Sequence, residues 1–300
     1  MMSTQFIPSL LVPEIYFPVK NEKGFTVSLL EKMTDEGFYR SFEIGDGQDQ
    51  QERKRILALK ETHNFQLTQW LTFLIDKYNL DVSSLDSKLR LESVNRIKES
   101  IYLAAECGAA NIAFVPGQDP GAERRLEATE GFYESLCEIC EEAAKYNMNV
   151  LVEHLDRYAH KKRLIGPMKE TVQLLSSVGE RYKNIGLAFD TAHSALNGEN
   201  ILDAMEQAKS QIHQIHFSNA VLDPNSELYG DFHMPIGEPG FLTGEKIIDI
   251  LQKADELSLQ SEQGLRVAVE VRGTDKDNYH ANEKTVRSIL EKALNLVGSR

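Results

Sequence analysis

The chain has little cysteine, no long apolar run and no surplus of positive charge, and each shortage removes a class of protein. Three cysteines in 300 residues, Cys107, Cys137 and Cys140, are too few for a disulfide-stapled scaffold. The opening MMSTQFIPSLLVPEIYF lacks a basic stretch followed by an apolar run, so no secretory leader is read, and the expected compartment is a reducing cytoplasm. Cys137 and Cys140 have CxxC spacing, but no second pair exists and the stretch is patterned as a helix; they read as ordinary helix residues. No apolar run reaches the roughly 18 residues of a membrane span. Acidic residues outnumber basic ones, 46 to 33, for a formal net charge of -13. That sign repels nucleic-acid backbones and anionic membranes, so small molecules are the expected partners. No GxGxxG turn follows the first strand, which argues against a dinucleotide-binding sheet. No low-complexity tract or Pro/Gly/Ser linker divides the chain, which is read as one domain over residues 1–300.

What is present is an alternation of short apolar runs and long amphipathic segments. Strands are predicted at Ser9–Ile15, Arg40–Ile44, Gln66–Leu71, Asn111–Val115, Asn149–Glu153, Gly186–Asp190, Gln214–His216 and Arg266–Glu270. Helices are predicted at Thr26–Glu36, Gln50–Glu61, Leu91–Glu106, Arg124–Tyr146, Met168–Tyr182, Ile201–Ser210, Gly244–Leu257 and Glu283–Val297. Strand then helix, repeated eight times over this length, predicts an α/β protein closed into a (β/α)₈ barrel rather than an open sheet. Three insertions stand out: Asp81–Arg90, Asp156–Gly166 and the polar stretch Val221–Phe241, whose aromatics and prolines suggest order.

Four of the strands end alike. NVLVE stops at Glu153, IGLAFD at Asp190, IHQIH at His216 and RVAVE at Glu270. In a parallel barrel the C-terminal strand ends rise on one face around one mouth, so three carboxylates and an imidazole should converge. Crowding like charges costs free energy unless a cation neutralises them, and a divalent metal is the simplest solution. Oxygen-rich ligation with one imidazole suits Mn²⁺ or Mg²⁺, with Co²⁺ or Zn²⁺ as alternatives.

Other residues flank that set. His193 follows Asp190 in the loop after the strand, and Asp231 and His233 point the same way if their segment is extended. Together the three make a second metal pocket, bind substrate hydroxyls, or order the loop by hydrogen bonds. Arg272 binds substrate or pairs with a neighbouring carboxylate. Arg157, His160, Lys161 and Lys162 are read as a solvated loop in preference to a phosphate clamp. His63, His154, His213 and His280 fall away from the expected site, while Tyr16, Glu43, Trp70 and Phe114 are candidates for the pocket wall.

At these residues the chain resembles the xylose isomerase-like barrels, the sugar isomerase and epimerase superfamily. The resemblance runs from Asn149 to Val271 through VEH at Glu153, FDTAH at Asp190 and His193, IHFSN at His216, DFHMPIGEPGF from Asp231, and VEV at Glu270. It implies that Glu153, Asp190, His216 and Glu270 bind a divalent cation and that the two glutamates form an acid/base pair. It also implies a carbohydrate substrate, free or phosphorylated, or an inosose. The expected reaction is isomerisation or epimerisation: Glu153 takes a proton from carbon next to a carbonyl, the cation stabilises the enediolate, and the proton returns from one glutamate or the other.

The same scaffold hosts metal-dependent dehydratases and hydrolases, and a three-zinc apurinic endonuclease whose third zinc site matches His193, Asp231 and His233. That endonuclease needs two more imidazoles on first-half strands, where this chain has Trp70 or Gln69, and Val115. A barrel that binds a ligand without catalysis is the remaining alternative, and the complete ligand set argues against it. Barrels of this size often dimerise or tetramerise; a homo-oligomer is compatible with the chain, though no segment identifies an interface.

Overall fold

In the computed structural model, which describes residues 4–259 and 264–298, eight parallel strands close into a barrel wrapped by helices. Residues 1–3, the start of the stretch read for a leader, lie outside the described residues. The barrel strands are β1 (Phe6–Leu11), β2 (Ser41–Ile44), β3 (Gln66–Trp70), β4 (Asn111–Phe114), β5 (Asn149–Glu153), β6 (Ile185–Asp190), β7 (Ile212–Ser218) and β10 (Leu265–Glu270). A separate two-stranded ribbon joins β8 (Ala220–Val221) to β9 (Gly230–Asp231). The helices are α1 (Val12–Ile15), α2 (Phe25–Glu36), α3 (Gln50–His63), α4 (Thr72–Tyr78), α5 (Ser87–Glu106), α6 (Arg125–Ala144), α7 (Met168–Arg181), α8 (Thr191–Leu196), α9 (Ile201–Ala208), α10 (Gly244–Glu256) and α11 (Tyr279–Gly298). Each strand is followed around the ring by the next, and β1 closes the circle by pairing with both β2 and β10.

The predicted strands are present, with one shifted. The first strand ends at Leu11, because Pro13 starts a short helix and cannot donate to a ladder. Helices α1, α4 and α8 were not anticipated; at 4, 7 and 6 residues they are too short to show a helical period. Local chemistry fixes many ends. Asp49 caps α3 in a capping box with Glu52, and Asn64 ends the helix with φ 53°.

Strand alternation sends residues to two different interiors. One face packs outward on the helices in a continuous apolar core that includes Phe42, Phe114, Phe189, Ile215 and Phe217. The other face fills the barrel. Leu11, Trp70, Ala113, Leu151 and Ala188 form an apolar layer there. A polar chain shares the interior: Arg266 Nε donates to Gln214 Oε1 at 3.2 Å, Gln214 Nε2 to Glu43 Oε2 at 2.6 Å, and Ser9 Oγ to Glu43 Oε1 at 2.8 Å. Buried polar groups persist in such a place when hydrogen-bonded.

Candidate metal centre

Strand register brings the four strand-end residues to one point. Asp190 lies opposite His216 across β6 and β7, and Glu153 and Glu270 end the strands on either side. One ligand atom from each of the four lies within 4.8 Å of every other. All are buried, Asp190 and His216 almost completely (1% exposed each), whereas Glu153 and Glu270 keep 7% and 6% open to the cleft above.

His216 is held from behind. Its Nε2 meets Glu43 Oε2 at 2.8 Å, and Trp70 packs edge-on against the ring at 5.2 Å between centroids. That leaves Nδ1 facing the cluster, 3.1 Å from Glu270 Oε2 and 3.6 Å from Glu153 Oε1. Asp190 uses one oxygen to accept from the His193 backbone N–H at 3.0 Å, capping α8, and its Oδ2 is buried without a hydrogen-bond partner. An orphaned carboxylate oxygen beside an inward-facing imidazole nitrogen and two more carboxylates fits a divalent cation, which would satisfy all of them at once.

The electrostatics without a cation are those of a crowded acid cluster. Burial pushes the Asp190 carboxyl up to about 8. Burial also opposes the charged form of Glu270, but His233 and His216 outweigh it and hold that carboxyl well below its usual range. Burial would depress His216, yet Glu43, Glu153 and Glu270 keep its imidazole well above 6.5.

The flanking residues are placed differently from expectation in several respects. His193 sits in the first turns of α8 rather than in a loop. Its Nδ1 meets Asp156 Oδ2 at 3.2 Å, and its Nε2 is 3.7 Å from Asp231 Oδ2. Burial disfavours the imidazolium, but Asp190, Asp156 and Asp231 raise its pKa to about 9. Asp231 also faces His233 Nε2 at 3.3 Å and Lys161 Nζ at 3.2 Å. Burial works against its charge, yet His233, His193 and Lys161 hold its pKa down to about 2. Among the described residues, His193, Asp231 and His233 do not form a compact three-ligand cluster; the second such cluster is Glu14, His233 and Glu270.

Arg272 takes the carboxylate-pairing alternative. Its Nε and Nη2 bind both oxygens of Glu14 at 2.7 and 2.9 Å, while its guanidinium lies 4.4 Å over the Phe17 ring. The loop after β5 is not simply solvated. Arg157 is buried on Leu164 and Glu170, and Lys161 turns inward to Asp231. Of the expected wall residues Trp70 lines the cleft, but Tyr16 and Phe114 face the outer core, and Glu43 lies beneath the site. His154 is enclosed against Phe189, and burial together with His193 presses its pKa to about 3, so it stays neutral.

The cleft over the centre holds about 120 Å³ and is lined by Trp70, Phe73, Val115, Arg163, His193 and His233, among others. Trp70 and Val115 form part of its wall and offer no metal ligand. A larger groove of about 770 Å³ lies nearby, over Lys20, Asp46 and Lys77, and holds neither ligand cluster. The long insertion folds over the barrel through buried Asn219, whose amide donates to Pro235 O and Gly237 O at 2.7 and 2.8 Å. A side chain at Gly240 would collide with that amide, so glycine is required there. Sequence reasoning did not single out Glu14 or Asp156, nor the support that Glu43 gives His216.

Solved structures share this architecture at low identity, which establishes the fold alone. A D-tagatose 3-epimerase-like protein aligns with TM-score 0.72 and 20% identity over 99% of both chains. D-psicose 3-epimerase with D-tagatose, from Clostridium cellulolyticum H10, aligns with TM-score 0.68 and 16% identity over 99% of this chain and 98% of that one. The IOLI protein with a binding zinc atom aligns with TM-score 0.69 and 14% identity over 99% of both. No curated protein matches the sequence. One family does: its sequence model covers residues 30–289, and the chain belongs to the xylose isomerase-like TIM barrels.

Proposed function

We propose that the protein is a divalent-metal-dependent sugar isomerase or epimerase that moves a proton on carbon next to a carbonyl. The observation that carries this is the placement of Glu153 and Glu270, which flank one buried ligand cluster and keep their carboxylates open to the same cleft. The resemblance to epimerase structures supports it.

Glu153, Asp190, His216 and Glu270 would hold the cation, with Mn²⁺ or Mg²⁺ expected and Co²⁺ or Zn²⁺ compatible. When bound, the cation draws electron density from the substrate carbonyl and neighbouring hydroxyl and makes the intervening C–H more acidic. Glu153 takes the proton from one face of the carbon. Return by Glu153 to the adjacent carbon, with the hydroxyl proton passing to the former carbonyl oxygen, gives isomerisation; delivery to the opposite face of the same carbon of a proton that Glu270 takes up from solvent, Glu153 then releasing its own to solvent, gives epimerisation. His193, whose Nδ1 meets Asp156 and which lines the cleft, would donate to a substrate oxygen. Trp70 and Phe73 supply aromatic walls for the apolar face of a sugar. The three cysteines are unpaired and buried, in keeping with a reducing cytoplasm.

The test is solvent exchange. Manganese-loaded protein is incubated in D₂O with pooled ketoses, aldoses, inosose-type ketones and their phosphates, and C–H signals are followed by NMR. Deuterium uptake that disappears in Glu153→Gln supports the reading and names the substrate class. No uptake from any pool by metal-loaded protein overturns it.

A further inference from the structure

Lys20 is a half-buried cation without a counterion, set beside the cleft. Its ammonium is wedged between two rings, 3.7 Å from the centre of Phe17 and 3.1 Å from that of Phe73, and the ring centres lie 6.0 Å apart. Aromatic faces stabilise a cation but present no oxygen to its N–H groups. Burial lowers its pKa to about 8. Among the described residues it makes no ion pair, and Glu14 and Asp76 act on it only from a distance. The cations that line the cleft itself are engaged. Arg272 holds Glu14 at 2.7 Å, Lys161 faces Asp231 at 3.2 Å, and Arg163 faces Asp76 at 3.7 Å. A lysine rarely gives up water without a partner, and here the protein supplies none.

The place of Lys20 in the fold says what a partner would belong to. It lines the groove of about 770 Å³, and Phe73, on which it rests, lines both that groove and the cleft over the candidate metal centre. The groove is built from the segments that follow the first three strands. Lys20 lies between α1 and α2, Asp46 between β2 and α3, and Phe73 and Lys77 in α4. Such segments form the C-terminal face of a barrel, the face on which Glu153 and Glu270 end their strands. Groove and cleft are two compartments of one face that meet at Phe73. The cleft alone, at about 120 Å³, is small beside the roughly 300–1,000 Å³ of ordinary ligand pockets, so a bound molecule has room to continue into the groove. Most groove carboxylates are already occupied. Glu22 pairs with Lys276 and Asp49 with Lys23, each at 3.4 Å, while Glu52 accepts from the backbone of Gly24 and Asp49 at 2.6 and 2.8 Å. Asp46 remains, against two unpaired ammonium groups, Lys20 and the exposed Lys77.

We propose that the groove is a second substrate compartment, and that the substrate carries an anionic group there, a phosphate or a carboxylate, bound by Lys20 and Lys77 across Phe73 from the reacting carbon. This rests on the isomerase or epimerase reading for what occupies the cleft. The anion supplies the countercharge that Lys20 lacks, and the Phe17 and Phe73 rings hold the ammonium in place to receive it. The substrate is then an acidic or phosphorylated sugar, and Lys20 is the residue that separates it from its neutral parent.

The test measures binding to the full-length, manganese-loaded protein by calorimetry. The probes are aldohexoses and ketohexoses, each as the neutral sugar, the terminal phosphate and the terminal carboxylate. At least one acidic form should bind about tenfold or more tighter than its neutral parent, the scale of one hydrogen bond to a charged group. Which acid is preferred tells phosphate from carboxylate. The preference should shrink as salt is raised to about 1 M, where the screening length falls to roughly 3 Å. Lys20→Gln should abolish the preference and Lys20→Arg should retain it; the salt dependence of the wild type decides the matter if Lys20→Gln does not fold. Equal affinity within every set, binding of no probe, a preference indifferent to salt, or one that survives Lys20→Gln overturns the proposal. Deuterium uptake judges the sugar chemistry separately. Uptake without any preference for acids sinks the groove proposal alone, whereas a Lys20-dependent preference without uptake from any pool leaves the anion site standing and sinks the isomerase or epimerase reading.

Discussion

Glu43 and His216 meet inside the barrel through a 2.8 Å contact between carboxylate Oε2 and imidazole Nε2, with both side chains almost inaccessible to solvent. Glu43 is not among the residues lining the cleft, yet it decides which nitrogen of His216 faces Glu153 and Glu270. Glu43→Gln should therefore weaken Mn²⁺ binding by about 10–100-fold, the usual cost of removing the group behind a ligand histidine. Glu43→Ala should in addition leave Ser9 and Gln214 without their shared acceptor and destabilise the fold by about 1–3 kcal/mol. Manganese titration and chemical denaturation separate the two effects; unchanged affinity in both variants would remove Glu43 from the account.

Glu153 and Glu270 are asymmetric partners. Glu270 lies within 3.1 Å of both His216 and His233, whereas Glu153 is 3.6 Å from His216. Glu153→Gln should thus be the cleaner probe of proton transfer. It should lower turnover by about 10²–10⁴-fold, the usual contribution of a general base, with KM changing far less. Near wild-type turnover in Glu153→Gln, on a substrate identified by deuterium uptake, would show that another group moves the proton.

The metal-free protein should lose stability as pH rises. His193 and His233 have folded pKa values of about 9 against a usual 6.5. Asp190 is raised to about 8 from 3.8. A group with a raised folded pKa contributes stability below its unfolded value and loses it as pH climbs through the folded one. The histidine contribution should be complete below pH 6.5 and gone above about 9, while that of Asp190 declines from pH 3.8 to about 8. Saturating manganese should flatten or reverse the slope, because cation binding favours the deprotonated ligands. Thermal melts of chelator-treated and manganese-loaded protein between pH 6 and 9.5 check this (roughly the span over which histidines so shifted titrate). A metal-free melting temperature that rises across the range would contradict it.

The parts of this architecture that were legible in the sequence are those with a period or a punctuation mark. Eight apolar runs separated by amphipathic helices announced the barrel, and four runs ending in Glu153, Asp190, His216 and Glu270 announced a shared point on its rim. Single side chains supplied by distant elements were not legible. Glu14 follows Pro13 in a one-turn helix that has no periodic signature, and its partner Arg272 stands 258 residues away. Asp156 sits in a loop whose positive charges suggested solvent, although its carboxylate accepts from the backbone of Lys161 at 2.9 Å and orients His193. Glu43 was visible as a polar residue on a strand, but strand alternation alone does not say whether an inward residue reaches the cleft or lies below it.

The apolar layer beneath the centre gives a last test of how the barrel supports its ligands. Leu151 precedes Glu153 by two residues on β5, so both project into the barrel, and Leu151 is fully buried with Leu11, Trp70, Ala113 and Ala188. Leu151→Ala should cost about 2–5 kcal/mol, the range for truncating a buried leucine. A cavity there also frees the end of β5 and should weaken metal binding. Leu175→Ala is the control, because Leu175 is 1% exposed but packs in the outer core on α7. It should cost a similar amount in denaturation while leaving manganese affinity unchanged. If both variants weaken binding equally, ligand geometry depends on global stability and the inner layer has no special part in holding it; if only Leu151→Ala does, close packing under the strand ends is what keeps Glu153 in place.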